Sequence, residues 1–367
     1  MKKTLVAVAA LAFVGAASAQ SSVTLYGKID WEIVSKTNRA VTTGVKGNPG
    51  IKLDSAGLSG SRWGMKGSED LGGGMSAIFD LQAGFTADDG LAGQSGLVSN
   101  WITPGAAPAV SRIFGRQAYA GLKGGFGQIT AGRQYAPYDN AFGATDAQGY
   151  TSNSAMGFAF AGATSLNAGG SVGIHADANG PGRVDNHLTY MTPAMGGFNA
   201  QISWAPGENA VAATGVSAGK YFGIGLGYGN GPINIQFATE SIRPTAAAGT
   251  TNAWLIGGSY DLGVVKPYMA YERAKNAAGS TDKGWALGFA APVGPVTLQA
   301  GWAVERTRIA GAATSSKVSG LGAQVVYSLS KRTNVYAEWM NMTIESATAG
   351  TIDGKNRRLG VGMRHDF

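Results

Sequence analysis

The last eleven residues of the chain, 357–367, alternate between two kinds of side chain. The mostly apolar set comprises Leu359, Val361, Met363, His365 and Phe367. The small or charged set comprises Arg358, Gly360, Gly362, Arg364 and Asp366. Successive side chains of a strand point to opposite faces, so this segment is predicted to be one strand with an apolar face and a polar face. The strand fits a soluble sandwich or a membrane barrel that turns its apolar face to lipid, and the terminal aromatic residue favours the barrel.

The composition also favours a barrel. Charged residues make up only 14% of the chain, against about 25% in an average soluble protein. The 58 glycines suit turns and a lumen lined with small residues, since each glycine inside a helix costs about 1 kcal/mol relative to alanine. The absence of cysteine excludes disulfides and thiolate metal sites. The basic residues are scattered, so the net charge of +7 does not indicate nucleic-acid binding.

The first nineteen residues have the features of a cleaved signal peptide. Lys2 and Lys3 form a positive start, an apolar stretch follows over residues 4–16, and residues 17–19 read Ala-Ser-Ala. Cleavage there leaves Gln20 as the first mature residue. No later run of 18 apolar residues predicts a spanning helix, so we expect an exported protein whose domain covers residues 20–367.

Sixteen segments are predicted to be strands, most of about the 9–11 residues that cross a bilayer on a tilt. They are 23–34, 58–68, 74–85, 111–123, 127–134, 183–191, 198–204, 220–228, 233–240, 253–261, 264–274, 283–291, 296–306, 317–329, 333–344 and the C-terminal strand. Residues 223–229, with a glycine at every second position, read as a strand with glycines on its lumen side rather than as a dinucleotide-binding loop, because no helix follows.

The connections between these segments alternate in length. Seven are short and mostly carry the Gly, Pro or Asn residues of tight turns. Eight are longer and cover 35–57, 86–110, 135–182, 205–219, 241–252, 275–282, 307–316 and 345–356. This pattern predicts an all-β, 16-stranded antiparallel transmembrane barrel with short periplasmic turns and long extracellular loops, closed by its first and last strands.

The connection at 135–182 is far longer than the others. Connections of that length are usually functional or disordered. It contains several aromatic residues together with Asp139 and Asp146. Such a segment either folds into a wide lumen or forms a surface loop.

Several motifs resemble the Gram-negative trimeric porins of the β-proteobacterial type. They are SVTLYG at 22–27, GLSGSRWG at 57–64, GSEDLGGG at 67–74, FGRQAYAGL at 114–122, GRQY at 132–135, RVDN at 183–186 and the terminal Phe367. The resemblance implies a homotrimer in the Gram-negative outer membrane, surrounded by lipid and lipopolysaccharide. It also implies that the third long loop folds into the pore opposite a basic cluster, and that Phe367 is a signal to the outer-membrane assembly machinery.

The pleat predicts which charged residues face the lumen. Arg62, Lys66 and Arg183 fall opposite the apolar faces of their strands, and Arg116 lies on a strand without a clean apolar face. An arginine in lipid costs about 2–4 kcal/mol at mid-depth, so these side chains are expected in the lumen. The resemblance assigns Arg62, Arg116 and Arg183 to the basic wall of a pore constriction, and we expect Lys66 and Arg133 on the same wall. The alternative is that the three arginines pair with lumen acids for stability alone.

The acidic side of the constriction is expected on the loop, at Asp139 and Asp146, with Asp80 contributing from the third strand. The resembled porins often carry Glu where this chain has Gln82. Gln82 therefore removes a negative charge and is expected to strengthen anion preference, although Asp80 lies in phase with it. Asn186 falls on the predicted lipid face and marks either a subunit contact or a misplaced strand boundary.

These features predict a passive general-diffusion porin for ions and small hydrophilic solutes, with anion preference. The alternatives are a solute-specific channel for phosphate or organic anions, and an adhesin or receptor barrel with a plugged lumen. The three histidines are far apart in sequence and no nucleophile-elbow motif accompanies them, so an enzyme is not predicted. No zinc or EF-hand spacing occurs, and no cofactor or metal is expected.

Overall fold

The computed structural model describes residues 21–39, 50–93, 112–160, 182–211, 216–243, 249–311, 315–345 and 354–367. The predicted signal peptide lies outside these residues. The strands are β1 Ser22–Arg39, β2 Ile51–Ser55, β3 Arg62–Gly72, β4 Met75–Phe85, β5 Ala92–Gly93, β6 Gln117–Gly124, β7 Gly127–Tyr135, β8 Arg183–Met191, β9 Phe198–Val211, β10 Val216–Asn230, β11 Ile233–Arg243, β12 Thr251–Tyr260, β13 Lys266–Lys275, β14 Thr281–Val293, β15 Val296–Arg308, β16 Ser315–Ser328, β17 Thr333–Glu345 and β18 Gly354–Asp366. The described part of the connection between β7 and β8 contains two helices, α1 Pro137–Thr145 and α2 Ala155–Phe160.

The strands form one closed antiparallel barrel. β2 and β3 both pair with β1, and β5 and β6 both pair with β4, so the eighteen segments make sixteen barrel strands. β18 pairs with β1 from Lys28 opposite Asp366 to Arg39 opposite Lys355. Among the described strands this closure leaves no open sheet edge, as a bilayer requires, and the predicted fold class is confirmed.

The two faces of the strands differ as the alternation predicts. In β18, Leu359 and Val361 are exposed on the outside, whereas Arg358 is buried on the lumen side. In β1, Ile33 is exposed outward, and Asp30 and Glu32 are fully buried. The apolar outer face suits lipid and the inner face collects the charges, as in transmembrane barrels.

Several predicted boundaries are wrong for identifiable reasons. The second strand does not start at residue 58, because a bend at 56–61 separates β2 from β3, with Ala56 at a φ of 71°. The fourth strand does not start at residue 111, because its long segment begins only at Gln117. The predicted loops at 205–219, 241–252, 275–282 and 307–316 are shorter, because antiparallel backbone pairing continues past the end of clean alternation.

Asn186 marks a β-bulge in β8. The register of β7 and β8 shifts between Gly132 and Gln134, and Asn186 has a φ of 54° in the left-handed region. Asparagine tolerates that conformation better than most residues. The exposed position of Asn186 therefore follows from the local kink, and the boundary of β8 itself matches the predicted segment 183–191.

The helices between β7 and β8 pack against the lumen side of β10–β17. They share a buried apolar cluster with wall residues that are mostly alanine, together with Leu255, Met340, Met342 and Ile344. Lumen-side glycines make room for this contact. A Cβ added at Gly284 would lie 2.5 Å from the Phe160 ring, and one at Gly288 would lie 2.5 Å from Ala147 Cβ. The described part of the 135–182 connection thus lies inside the barrel.

Neither α1 nor α2, nor any other helix in the described ranges, has the length and hydropathy to cross a bilayer.

Candidate pore constriction

The register of the sheet places three arginines side by side, at about the same height on the barrel wall. Arg62 in β3 stands opposite Gly84, and the backbone amide of Arg116, just before β6, donates to the carbonyl of Gln82 at 3.0 Å. Arg183, at the start of β8, stands opposite Tyr135. The antiparallel pairing from β3 to β8 therefore brings together residues that are up to 121 positions apart in the sequence.

Tyr135 connects two of these arginines. Its hydroxyl accepts hydrogen bonds from Nη2 of Arg116, at 2.8 Å, and from Nη2 of Arg183. The Arg183 guanidinium also lies over the Tyr135 ring, 4.1 Å from its centroid. Arg62 is within electrostatic range of Tyr135 and Arg183. Tyr135 is the last residue of the GRQY motif at 132–135, and its place at the end of β7 identifies it as part of the wall.

The three arginines differ in their access to the lumen. Arg183 is fully buried and Arg116 is 6% exposed, whereas Arg62 is half-buried. Arg183 and Arg116 therefore have almost no contact with the lumen. A charge in a site of low dielectric projects a stronger field than one in bulk water, so this burial does not remove their influence.

Gln82 lies directly against the arginine cluster. Its Oε1 accepts from Nε of Arg116 at 2.7 Å, and its Nε2 donates to the Tyr26 hydroxyl at 2.9 Å. Tyr26 in turn donates to Asp80 Oδ1 at 2.5 Å. Gln82 thus connects the basic cluster to Asp80 without adding a charge, and its carbonyl oxygen satisfies one side of a buried guanidinium.

Further cations line the same wall. Lys66 is exposed in the lumen phase of β3 and lies over the Tyr26 ring, 5.3 Å from its centroid. Lys28 in β1 stands opposite Arg62. It was not among the predicted wall residues, although it alternates with the apolar residues of β1 and could have been predicted to face the lumen. Arg133 is in a different arrangement, because its Nη1 bonds Asp185 Oδ1 at 2.7 Å.

The loop side of the site contributes Asp139, in the first turn of α1. Its carboxylate accepts from the Gly182 amide at 2.9 Å and interacts electrostatically with Arg183 and Arg116. Burial raises the pKa of Asp139 to about 6, and the two arginines oppose that rise. Asp139 therefore brings its carboxyl group to the basic cluster.

Asp146 lies elsewhere. It follows α1, and its carboxylate accepts from the backbone amides of Gln148, at 3.0 Å, and Tyr150, at 2.7 Å. It lines a small space with residues of β13, β14 and β15 rather than with the arginines. Its described contacts hold the turn after α1, because a short acidic side chain readily caps amides two to four residues ahead.

Phe367 lies at the barrel seam. Its backbone amide and carbonyl exchange hydrogen bonds with Gly27, both at 3.0 Å. Its ring covers Gly27, where an added Cβ would lie 2.4 Å from the ring. The last residue is therefore part of the closure between β1 and β18.

A closed barrel with an apolar outer face, a loop folded into its lumen and a cation-rich inner wall is the architecture of a channel-forming outer-membrane barrel. Comparison with known proteins makes the assignment more specific. The family model described as Gram-negative porin matches residues 5–346. The chain therefore belongs to the Gram-negative porin family, and it is an outer-membrane protein.

Individual relatives agree with this assignment. An outer membrane porin protein of Bordetella pertussis is 31% identical over 420 aligned residues, and outer membrane porin protein 32 of Delftia acidovorans is 32% identical over 388. Each alignment covers 100% of both chains. A solved structure, the anion-selective porin from Comamonas acidovorans, is 28% identical with a TM-score of 0.75, over 95% of this chain and 100% of that one.

Proposed function

We propose that this porin forms a water-filled channel that lets small hydrophilic solutes and ions diffuse passively across the outer membrane, with a preference for anions. The observation that carries the proposal is the excess of cations on one wall of the lumen. Three arginines lie at about the same height on this wall, namely Arg62, Arg116 and Arg183. Lys28 and Lys66 lie beside them, and Asp139 faces the cluster from the loop. The similar porin from Comamonas acidovorans is described as anion-selective, which supports the same sign here.

Ion preference at this constriction needs charge and water but no catalytic group. Charged walls set which ions enter a narrow aqueous passage. Arg62 and Lys66 reach the lumen, and the buried Arg116 and Arg183 add to the potential without contacting the ion. Arg133 is paired with Asp185 and Lys28 with Asp366 at 3.7 Å, so the neighbouring carboxylates reduce the contribution of these two cations to the net field.

The remaining parts of the proposal concern assembly. We infer a homotrimer in a membrane of lipid and lipopolysaccharide, as the family resemblance implies. Phe367 is inferred to be read by the assembly machinery before it completes the seam with Gly27. Exchange of Phe367 for alanine is expected to lower the amount of protein in the outer membrane, since it removes both the signal and a seam contact.

Single-channel recording of the purified oligomer in a planar bilayer tests the channel proposal. A general-diffusion pore should give large steps in groups of three, with a conductance that rises with KCl concentration. A channel specific for phosphate or organic anions should instead saturate, and one such solute should block the chloride current. Silent membranes despite verified insertion would contradict both and favour a plugged adhesin or receptor barrel.

A further inference from the structure

The bend at residues 56–61, between β2 and β3, touches both sides of the constriction. On the basic side, Nε of Arg62 donates to the Gly60 carbonyl at 2.9 Å, and Nη2 of Arg62 bonds the Ser59 hydroxyl. On the loop side, the backbone amide and the hydroxyl of Ser152 both donate to the Gly57 carbonyl, at 3.1 and 2.9 Å. The bend therefore connects the accessible arginine to the segment between α1 and α2.

Asp30 holds this bend from within the wall of β1. Its Oδ2 accepts from the backbone amides of Leu58, at 3.0 Å, and Ser59, at 2.7 Å. Its backbone amide donates to Ser61 Oγ at 2.9 Å, and its backbone carbonyl accepts from the Ala56 amide at 3.0 Å. Asp30 is fully buried, so water does not compete for these bonds, and charge-assisted bonds of this kind are among the stronger ones in proteins.

Tyr336 fixes the other oxygen of Asp30. It lies on β17 and reaches past β18, and its hydroxyl donates to Asp30 Oδ1 at 2.6 Å. Two glycines make this reach possible. A Cβ at Gly57 would lie 2.1 Å from the Tyr336 hydroxyl oxygen, and one at Gly362 would lie 2.3 Å from it. The chain thus leaves space for one phenol at the point where its first and last strands meet.

We propose that Asp30 and Tyr336 form a clamp that positions the constriction, by fixing the bend that carries Arg62 on one side and Ser152 of the loop on the other. Both are positioning residues, because neither is assigned contact with the permeating ion. The inference rests on the proposed channel function. In this arrangement the contacts at the barrel seam fix the bend, and the bend sets the distance between the basic wall and the loop. The contacts of α1 and α2 with the opposite wall are therefore not the only ones that position the loop.

Hydrogen exchange tests the clamp without requiring a current. In Tyr336→Phe and Asp30→Asn, the amides of Leu58, Ser59 and Ser152 should exchange about tenfold faster or more, the factor expected when a charge-assisted hydrogen bond is weakened. The matched control is Tyr190→Phe, which removes a phenol that donates to the Phe126 carbonyl at 2.7 Å, far from the bend. Unchanged protection of these amides in both clamp variants would overturn the inference.

Single-channel recording distinguishes a positioning role of the clamp residues from a role in stability alone. Tyr336→Phe and Ser152→Ala should each raise open-channel current noise and add subconductance levels, while the unfolding temperature of Ser152→Ala stays close to that of the native protein. The double variant should add little to either single variant, because both act through the same bend. Quiet, native-like currents in both single variants would overturn the clamp, whereas a silent native protein with intact amide protection would refute only the channel proposal.

Discussion

Replacing Gln82 by glutamate puts a negative charge against the arginine cluster with little change in side-chain shape. Nε of Arg116 donates to Gln82 Oε1 at 2.7 Å, and a glutamate oxygen accepts the same bond. The carboxylate cannot donate to Tyr26 as the amide does, but the Tyr26 hydroxyl remains bonded to Asp80. The variant therefore changes the charge of the site while it keeps most of its geometry.

The size of the effect follows from Coulomb's law. For an ion about 6 Å from the new carboxylate in an aqueous lumen, one charge contributes about 0.7 kcal/mol. It disfavours the anion and favours the cation by that amount, so the permeability ratio of chloride to potassium should fall by about tenfold. Screening acts over about 10 Å at 0.1 M salt, and the change should therefore be largest at low ionic strength and shrink in concentrated KCl.

The assay is the zero-current potential of Gln82→Glu and of the native protein under the same KCl gradient. Gln82→Met is the control, because it keeps the length of the side chain and removes its hydrogen bonds without adding charge. A glutamate variant with the native potential at low salt would refute the electrostatic argument. A methionine variant that shifts the potential as far as glutamate does would show that geometry, not charge, determines the preference.

Three further predictions concern the loop and the wall. Burial raises the pKa of Asp139 to about 6, so lowering the pH from neutral through that value should neutralise the carboxylate and increase anion preference. Asp139→Asn should abolish this pH dependence of the reversal potential. Because the raised pKa means that the fold favours the neutral acid, the contribution of Asp139 to stability is present at low pH and is lost as the pH rises through about 6. Gly288→Val should displace the loop and lower the free energy of unfolding by about 1–3 kcal/mol, whereas Gly229→Val, where an added Cβ meets nothing within 4 Å, should leave both conductance and stability near native. Arg358→Met should destabilise the barrel by about 3–5 kcal/mol in thermal unfolding, because the buried Glu32 and Glu338 lose their shared cation. Equal melting temperatures for this variant and for the exposed-site variant Arg357→Met would contradict that reasoning.

The barrel was predictable because its rules are local. Alternation with a period of two marks each strand face, and the contrast between short and long connections gives the up-and-down order. The glycine-rich segment 223–229 is a strand with its glycines on the lumen side, as predicted, and Gly225 approaches Pro137 of α1. The predicted strand boundaries were wrong where the backbone pairing does not follow the local alternation. One example is the bend at 56–61, which divides the second barrel strand into β2 and β3.

The candidate site was only partly predictable. The pleat identifies Arg62, Lys66 and Arg183 as lumen-facing, since charge in lipid is costly. The burial of Arg183, the bridging hydroxyl of Tyr135 and the turn-capping role of Asp146 depend on how the loop folds back across the lumen. That packing is set by contacts more than a hundred residues apart, such as the hydrogen bond from the Tyr138 hydroxyl to Glu272 at 2.7 Å, and no local pattern encodes it.

The most direct test of the account is the zero-current potential of the native protein under a KCl gradient, measured beside Arg62→Gln at low salt. If the cation cluster sets the preference, the native potential has the sign of chloride preference, the variant gives a smaller value, and the two values converge as salt screens the wall. A potential with the sign of potassium preference in the native protein, or one that Arg62→Gln leaves unchanged at low salt, would contradict the claim that this cation cluster determines what the channel passes.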